Sequence, residues 1–271
     1  MPQIMHGDHR IYYEVHGDGP RMLLFNGSGA TVDKSALLIG VFAKHFTVVV
    51  HDQRGLGRSG VPVGPYTMAE YALDGARVLD ELGWDSCLVV GISFGGMVAQ
   101  EFAVTWPERV QKLALLCTSP GGRLGASYPL HELAELSPPD RATIYLPLLD
   151  TRFTSDWLQQ HPADAALVAD IASRRSDSLS QEQIRGEREQ LRARSEHDVG
   201  ERLAGVTAPT FVAAGRFDGI APLVNSEAIA SLIPNATLHV YEGGHMFMVQ
   251  DRTAMPDIFS FLSQDTAEVA P

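Results

Sequence analysis

Ser93 lies in Gly91-Ile92-Ser93-Phe94-Gly95-Gly96, with a glycine two residues away on either side. A serine hydroxyl is a weak nucleophile at its own pKa and needs a base within hydrogen-bond reach. The flanking glycines permit a sharp strand-to-helix turn that lifts the hydroxyl clear of the backbone. The helix that follows turns free N–H groups and the positive end of its dipole toward developing negative charge. His245, in Tyr241-Glu242-Gly243-Gly244-His245, is the candidate base, and Asp218, in Ala214-Gly215-Arg216-Phe217-Asp218, the candidate acid that orients it. Each of the three directly follows an apolar run that reads as a strand. Open parallel sheets gather their ligands at the carboxyl ends of the strands, so one rim of one sheet would receive all three. Glu242 is the competing carboxylate; Asp218 is preferred because it ends a different strand, from which it can reach the outer imidazole nitrogen. A hydroxyl, an imidazole and a carboxylate in this chain order are the parts for acyl transfer through a covalent intermediate.

Acyl transfer also needs donors for a tetrahedral oxyanion. The backbone N–H of Phe94, directly after the nucleophile, is the first candidate. The second is the N–H of Ser28, in the Asn26-Gly27-Ser28-Gly29 loop that ends another strand. His6-x-x-His9 lacks acidic or cysteine companions nearby and is a poor metal motif, so no metal is expected. His51, before Asp52 at a strand end, reads as structural. Gly55-Leu56-Gly57-Arg58-Ser59-Gly60 formally matches a dinucleotide fingerprint, but Val61-Pro62-Val63-Gly64-Pro65 follows where a helix would have to begin. No nucleotide, and no other cofactor, is expected.

The elements that must position these residues alternate. Strands are read near Gln3–Met5, Arg10–His16, Arg21–Phe25, Phe46–His51, Ser86–Val90, Lys112–Cys117, Thr210–Ala214 and Thr237–Tyr241. Helical patterns cover Met68–Leu82 (apolar at 69, 72, 73, 76, 79 and 82), Phe94–Thr105, Asn225–Ile233 and Met255–Leu262. Such alternation predicts an α/β fold with a mostly parallel sheet. It fails between about Gly121 and Glu201, a stretch rich in Leu, Ala, Arg and Glu that reads as an all-helical insertion. Its charged segment, Arg185–Arg194, reads as a solvated helix face. The tail Gln264–Pro271 is polar and small and reads as frayed.

The bulk numbers agree with an ordinary globular chain. Of 271 residues, 45% are hydrophobic and 20% charged, enough apolar material for a sizeable core. Lys and Arg number 21 against 33 Asp and Glu, a formal net charge of −12, which argues against nucleic acid or an anionic membrane surface as partner. A local arginine can still override that field at one site. Cys87 and Cys117 sit in apolar runs and read as free buried thiols, a disulfide being possible but not required. The first ten residues carry no secretory pattern, and no apolar run nears the roughly 20 residues of a membrane span. A cytoplasmic location and a small-molecule substrate are the expectations; nothing in the residues indicates the oligomeric state.

With Asn26–Gly29, Asp52-Gln53-Arg54-Gly55-Leu56-Gly57-Arg58-Ser59, Gly91–Gly96, Gly215–Asp218 and Gly244-His245 in view, the chain resembles the α/β-hydrolase superfamily over nearly its whole length. The resemblance implies an eight-stranded, mostly parallel sheet flanked by helices, with residues 1–122 and 201–271 forming the core and a helical cap at about 123–200. Asn26 departs from the histidine that many members carry before the glycine. Ser93 argues against the branches that use an aspartate nucleophile. The runs Met97–Gln100, Pro107–Val110 and Leu115–Ser119 are similar to the 3-oxoadipate enol-lactonase group, a likeness of scaffold rather than pocket. An ester or lactone hydrolase is the leading expectation, with Tyr128, Tyr145, Leu146, Phe153 and Trp157 as candidate lining of the cap. The alternatives are a C–C bond hydrolase acting on a vinylogous diketone, with Arg54, Arg123 or Arg152 as carboxylate anchor, and a non-catalytic ligand-binding protein on the same fold.

Overall fold

Successive residues of a strand face opposite sides of its sheet, and the apolar runs of this chain divide accordingly. In Arg21–Phe25 (β3), Leu23 and Phe25 enter one apolar cluster while Met22 and Leu24 enter a second. In Thr47–His51 (β4), Val49 goes to the first cluster and Val48 and Val50 to the second. Strands apolar on both faces need helices on both faces, which is the physical content of the alternating pattern. The computed structural model describes residues 2–7, 9–173 and 180–264. Asp8 of the first turn and residues 265–271 of the polar tail lie outside them.

Gln3–His6 (β1), His9–His16 (β2), β3, β4, Cys87–Ile92 (β5), Val110–Leu116 (β6), Thr210–Gly215 (β7) and Ala236–Tyr241 (β8) form one eight-stranded sheet in the order β1-β2-β4-β3-β5-β6-β7-β8. β2 runs antiparallel to β1 and β4, and the remaining pairs are parallel. Chain order reverses direction between β3 and β5, which are adjacent. The loops leaving these two strands therefore open on one crevice, as doubly wound sheets require.

Ala36–Phe42 (α1) and Ala254–Ser263 (α10) cover one face; Met68–Glu81 (α2), Phe94–Thr105 (α3) and Leu223–Leu232 (α8) cover the other. α2 starts at a capping box in which Thr67 and Glu70 satisfy each other's backbone N–H. Its buried stripe runs through Met68, Tyr71, Ala72, Gly75, Ala76 and Leu79, shifted from the expected one, and Ala69 is exposed. The shift turns Asp74 fully inward. There its carboxylate takes Arg54 Nε and Nη2 at 2.7 and 2.8 Å and His6 Nδ1 at 2.7 Å. α1 had no periodic signal, since Gly40 interrupts a seven-residue, mostly apolar segment.

Between β6 and β7 the chain leaves the sheet and builds a helical cap from Pro138–Leu149 (α4), Ser155–Gln160 (α5), Pro162–Ser173 (α6) and Gln181–Ser195 (α7). A small core around Leu149, Phe153 and Ile220 joins the cap to the loop after β7. α7 does not float in solvent as its charge suggested: Gly186, Gln190, Ala193 and Arg194 are buried. A side chain on Gly186 would run into the backbone of Gly55, so this glycine sets how closely α7 rests on the sheet domain.

Candidate active site

β5 ends at Ile92, and Ser93 follows with φ +54°, a left-handed conformation that non-glycine residues seldom take and that costs about 1–3 kcal/mol. Three contacts hold it there. Its N–H donates to the Leu116 carbonyl at 2.8 Å, while its own carbonyl accepts from Gly96 N at 2.9 Å and from Thr118 Oγ1 at 2.8 Å. Gly95 permits the turn because a Cβ at that position would strike the Phe25 carbonyl oxygen. The strain is thus imposed by β3, β6 and the first turn of α3 acting together.

His245 Nε2 lies 2.9 Å from Ser93 Oγ, and His245 Nδ1 lies 2.7 Å from Asp218 Oδ2. Asp218 Oδ1 accepts the N–H groups of Ile220 and Ala221, each at 2.8 Å. That carboxylate therefore has no freedom to turn, and a proton on Nδ1 is the tautomer it favours. Glu242, the competing carboxylate, is exposed and pairs with Arg216 at 2.8 Å. The loops carrying Asp218 and His245 are pressed together, since a Cβ on Gly215 would meet the Gly244 carbonyl.

A strap of cap residues binds both loops. His245 N–H donates to Leu149 O at 2.6 Å, Gly219 N–H to Leu148 O at 3.1 Å, and Thr151 N–H to Phe217 O at 2.9 Å. Ile220 and Met246, neighbours of Asp218 and His245, pack into the cap's small core.

The loop after β3 meets Ser93 as the sheet order requires: a Cβ on Gly27 would lie 3.7 Å from Ser93 Cβ. Phe94 opens α3, so its N–H belongs to the first turn, which lacks intrahelical partners. Ser28 borders the cleft, and its Oγ is buried with no hydrogen-bond partner among the described residues. Gly29 N–H donates to Gln190 of α7 at 2.8 Å; Gln190 Nε2 reaches Gln53, whose own amide donates to the Asn26 carbonyl at 2.7 Å. The cap thereby helps shape the loop in which Asn26 replaces the more usual histidine.

A cleft of about 460 Å³ opens beside Ser28 and Gly29 and is walled by the cap, with Leu133, Arg141, Tyr145, Ile184, Glu187 and Leu191 among its lining. Burial raises the Glu187 carboxyl above its ordinary value, against the fields of Lys34 and Arg141. Of the cap residues named from the sequence, Tyr145 lines this cleft. Phe153 is instead buried in the cap core, where Leu146 also packs, and Trp157 stacks on His161 at 3.7 Å and donates to Asp164 at 2.8 Å. Tyr128 lies at the base of the cap, its N–H donating to Ile220 O. The α7 side of the cleft escaped sequence reading because its residues sit in a charged segment.

The candidate carboxylate anchors are engaged or outside the cleft. Arg54 is taken up by Asp74 and Glu70, Arg152 by Asp150 at 2.6 Å, and Arg123 is exposed. His51 is buried edge-on to Phe25, and desolvation lowers its pKa to about 4, which suits a neutral structural residue. Among the described residues, His6, His9 and Asp74 form the one group spaced to hold a metal ion, so the histidine pair does have an acidic companion, brought by α2. Both Asp74 oxygens already serve Arg54, and a cation there would face a guanidinium. Gly55–Gly60 is wrapped around the Asp52 carboxylate, which accepts Val32 N–H at 2.7 Å and Arg58 N–H at 2.8 Å. It is a structural turn.

Among the described residues no helix is long and apolar enough to cross a membrane. Comparison with known proteins finds 31% identity to the provisionally named carbamate hydrolase RutD of Azorhizobium caulinodans, covering 96% of each chain. A poly(3-hydroxyalkanoate) depolymerase of Ectopseudomonas oleovorans is 30% identical over 90% of this chain and 84% of its own. The 3-oxoadipate enol-lactonase 2 of Acinetobacter baylyi is 27% identical over 91% of this chain and 90% of its own. The family model for the alpha/beta hydrolase fold matches residues 20–251, and the chain belongs to that family.

Proposed function

We propose that this protein is a serine hydrolase that cleaves a carboxylic ester or lactone of a small molecule through an acyl-enzyme on Ser93. The observation that carries the proposal is the unbroken relay from Ser93 Oγ to His245 Nε2 and from His245 Nδ1 to Asp218, at 2.9 and 2.7 Å. His245 takes the Ser93 proton as Oγ attacks the acyl carbonyl, and Asp218 stabilises the resulting imidazolium. The Phe94 and Ser28 N–H groups hold the oxyanion. His245 then protonates the leaving alcohol, and water, activated by the same imidazole, releases the acid. Relatives named for a polyester depolymerase and an enol-lactonase support ester and lactone bonds as the target. The two free, buried thiols of Cys87 and Cys117 support a reducing, cytoplasmic setting; cell fractionation tests that part.

The test of the reaction is labelling by a fluorophosphonate together with hydrolysis of short p-nitrophenyl esters. Wild type should do both. Ser93→Ala should abolish labelling and lower kcat by at least about 10⁴-fold. Absence of labelling and turnover in folded wild type would sink the enzyme reading and leave a ligand-binding protein.

A further inference from the structure

Arg194 is 4% exposed, on the last turn of α7. Its Nη1 donates to the Tyr128 carbonyl at 2.6 Å, and its Nε is buried with no hydrogen-bond partner among the described residues. The fields that reach it come from the Tyr145 phenol and the Asp218 carboxylate. Neither neutralises it, since Asp218 is committed to His245 and two backbone N–H groups. Buried guanidinium groups are ordinarily paired, because desolvation of an unpaired charge is expensive. Here it is enough to bring the Arg194 pKa down to about 10. Arg54, the other buried arginine among the described residues, has two carboxylates.

Position says what the missing partner is. Glu187, Gln190 and Leu191 line the cleft, and Arg194 follows on the same face of α7 one turn on, beside the lining residue Tyr145. Arg141 and Arg188 line the cleft together with Glu187, two guanidinium groups against one carboxylate in a chain of net charge −12. We infer that Arg194 receives an ionised carboxylate of the substrate, remote from the bond that is cut, and that the protein selects esters or lactones of acids carrying a second carboxylate. A carboxylate fits better than a phosphate: one guanidinium balances one charge and offers a planar pair of donors. This rests on the hydrolase reading, but binding can be measured apart from turnover.

The experiment compares monoethyl esters of the C4–C7 dicarboxylic acids with the ethyl esters of monocarboxylic acids of equal length. Wild type should prefer at least one acid ester. Arg194→Gln should lower kcat/KM for it by about 100-fold, mainly through KM, and leave the neutral ester within about threefold. Arg194→Met should raise Tm by about 2–4 °C if the charge is retained for ligand rather than for folding. Equal use of acid and neutral esters, equal loss of both in Arg194→Gln, or a lowered Tm in Arg194→Met would overturn the inference. Calorimetry with glutarate and adipate separates the two readings. Binding by wild type that is lost in Arg194→Gln, without turnover of any ester, would keep the carboxylate site and discard the hydrolase. Turnover of neutral esters without dicarboxylate binding would do the reverse.

Discussion

Asp218 and Arg194 are buried to the same degree, 4% exposed each, one at the rim of the sheet and the other in the cap. Asp218 is met by two backbone N–H groups and His245, whereas Arg194 keeps a buried N–H without a partner among the described residues. Three buried carboxylates of the sheet domain are met internally: Asp74 by Arg54, Asp52 by two backbone amides, Asp218 by its loop and His245. The cap, which rests on the sheet through a glycine contact and a short strap, leaves a charge waiting. Closed networks fix reacting atoms to fractions of an ångström; an open one is suited to a group that arrives from outside.

The sharpest way to break this contrast is at Asp218. In Asp218→Asn the Oδ1 position can still accept the Ile220 and Ala221 amides, but the new NH₂ group faces His245 Nδ1 and favours the wrong tautomer. Turnover should fall by about 10³–10⁴-fold with the fold intact, read by steady-state kinetics beside circular dichroism. A fall below tenfold would mean that the rim is less closed than described.

Asp74→Asn probes a closed network that does no chemistry. It leaves the Arg54 guanidinium with Glu70 alone, and breaking the buried pair should cost up to about 3–5 kcal/mol of stability in denaturant unfolding, while kcat of the folded enzyme is unchanged. Its sign with pH follows from the folded carboxyl being held well below its ordinary value by its histidine and Arg54 partners, against desolvation. The pair's contribution is complete above the unfolded carboxyl pKa of about 3.9 and is lost as pH falls from there toward the folded value. The variant should lack that acid limb.

Gly186→Ala tests the cap's seat. The added methyl meets the Gly55 backbone, and α7 must lift. About 1–3 kcal/mol of stability should be lost, and KM for an ester filling the cleft should rise about tenfold, with fluorophosphonate labelling of Ser93 unchanged. Equal damage to labelling would tie the cap to the chemistry as well as to recognition.

The smallest effect compares one histidine from each region. Burial lowers His51, on the sheet, to about 4 and His197, just after α7, to about 3. Both take protons more readily when the chain is unfolded, so stability is full above about pH 6.5. Each should remove about 1.4 kcal/mol per pH unit as pH falls from there toward 4. Denaturant midpoints at pH 7, 6 and 5 should show the slope, and His51→Gln or His197→Gln should each reduce it.

The same division explains what could be read from the sequence. The central strands were legible because each is an apolar run whose successive residues fill clusters on the two faces of the sheet. The meeting of Ser93, His245 and Asp218 could be anticipated because each follows an apolar run in a glycine-rich turn, where local sequence and topology make the same demand. Arg194 could not be, because a guanidinium among Arg185, Arg188 and Arg192 looks like one more solvated charge. Gly186, Gln190 and Ala193, small or uncharged residues recurring at helical spacing in an otherwise charged segment, were the available hint that α7 has an inner face. The exact stripe of α2, and with it the meeting of Asp74 with His6 and His9, depended on how the helix was rotated, which tertiary packing decides.

The segment Leu148–Thr151 carries one further implication. Because its backbone is bonded to the turns that carry His245 and Asp218, the cap cannot lift at that end without breaking those bonds. Under the proposed reaction a substrate would instead arrive through the cleft that α7 and the Leu130–Glu135 turn line, away from this anchored end.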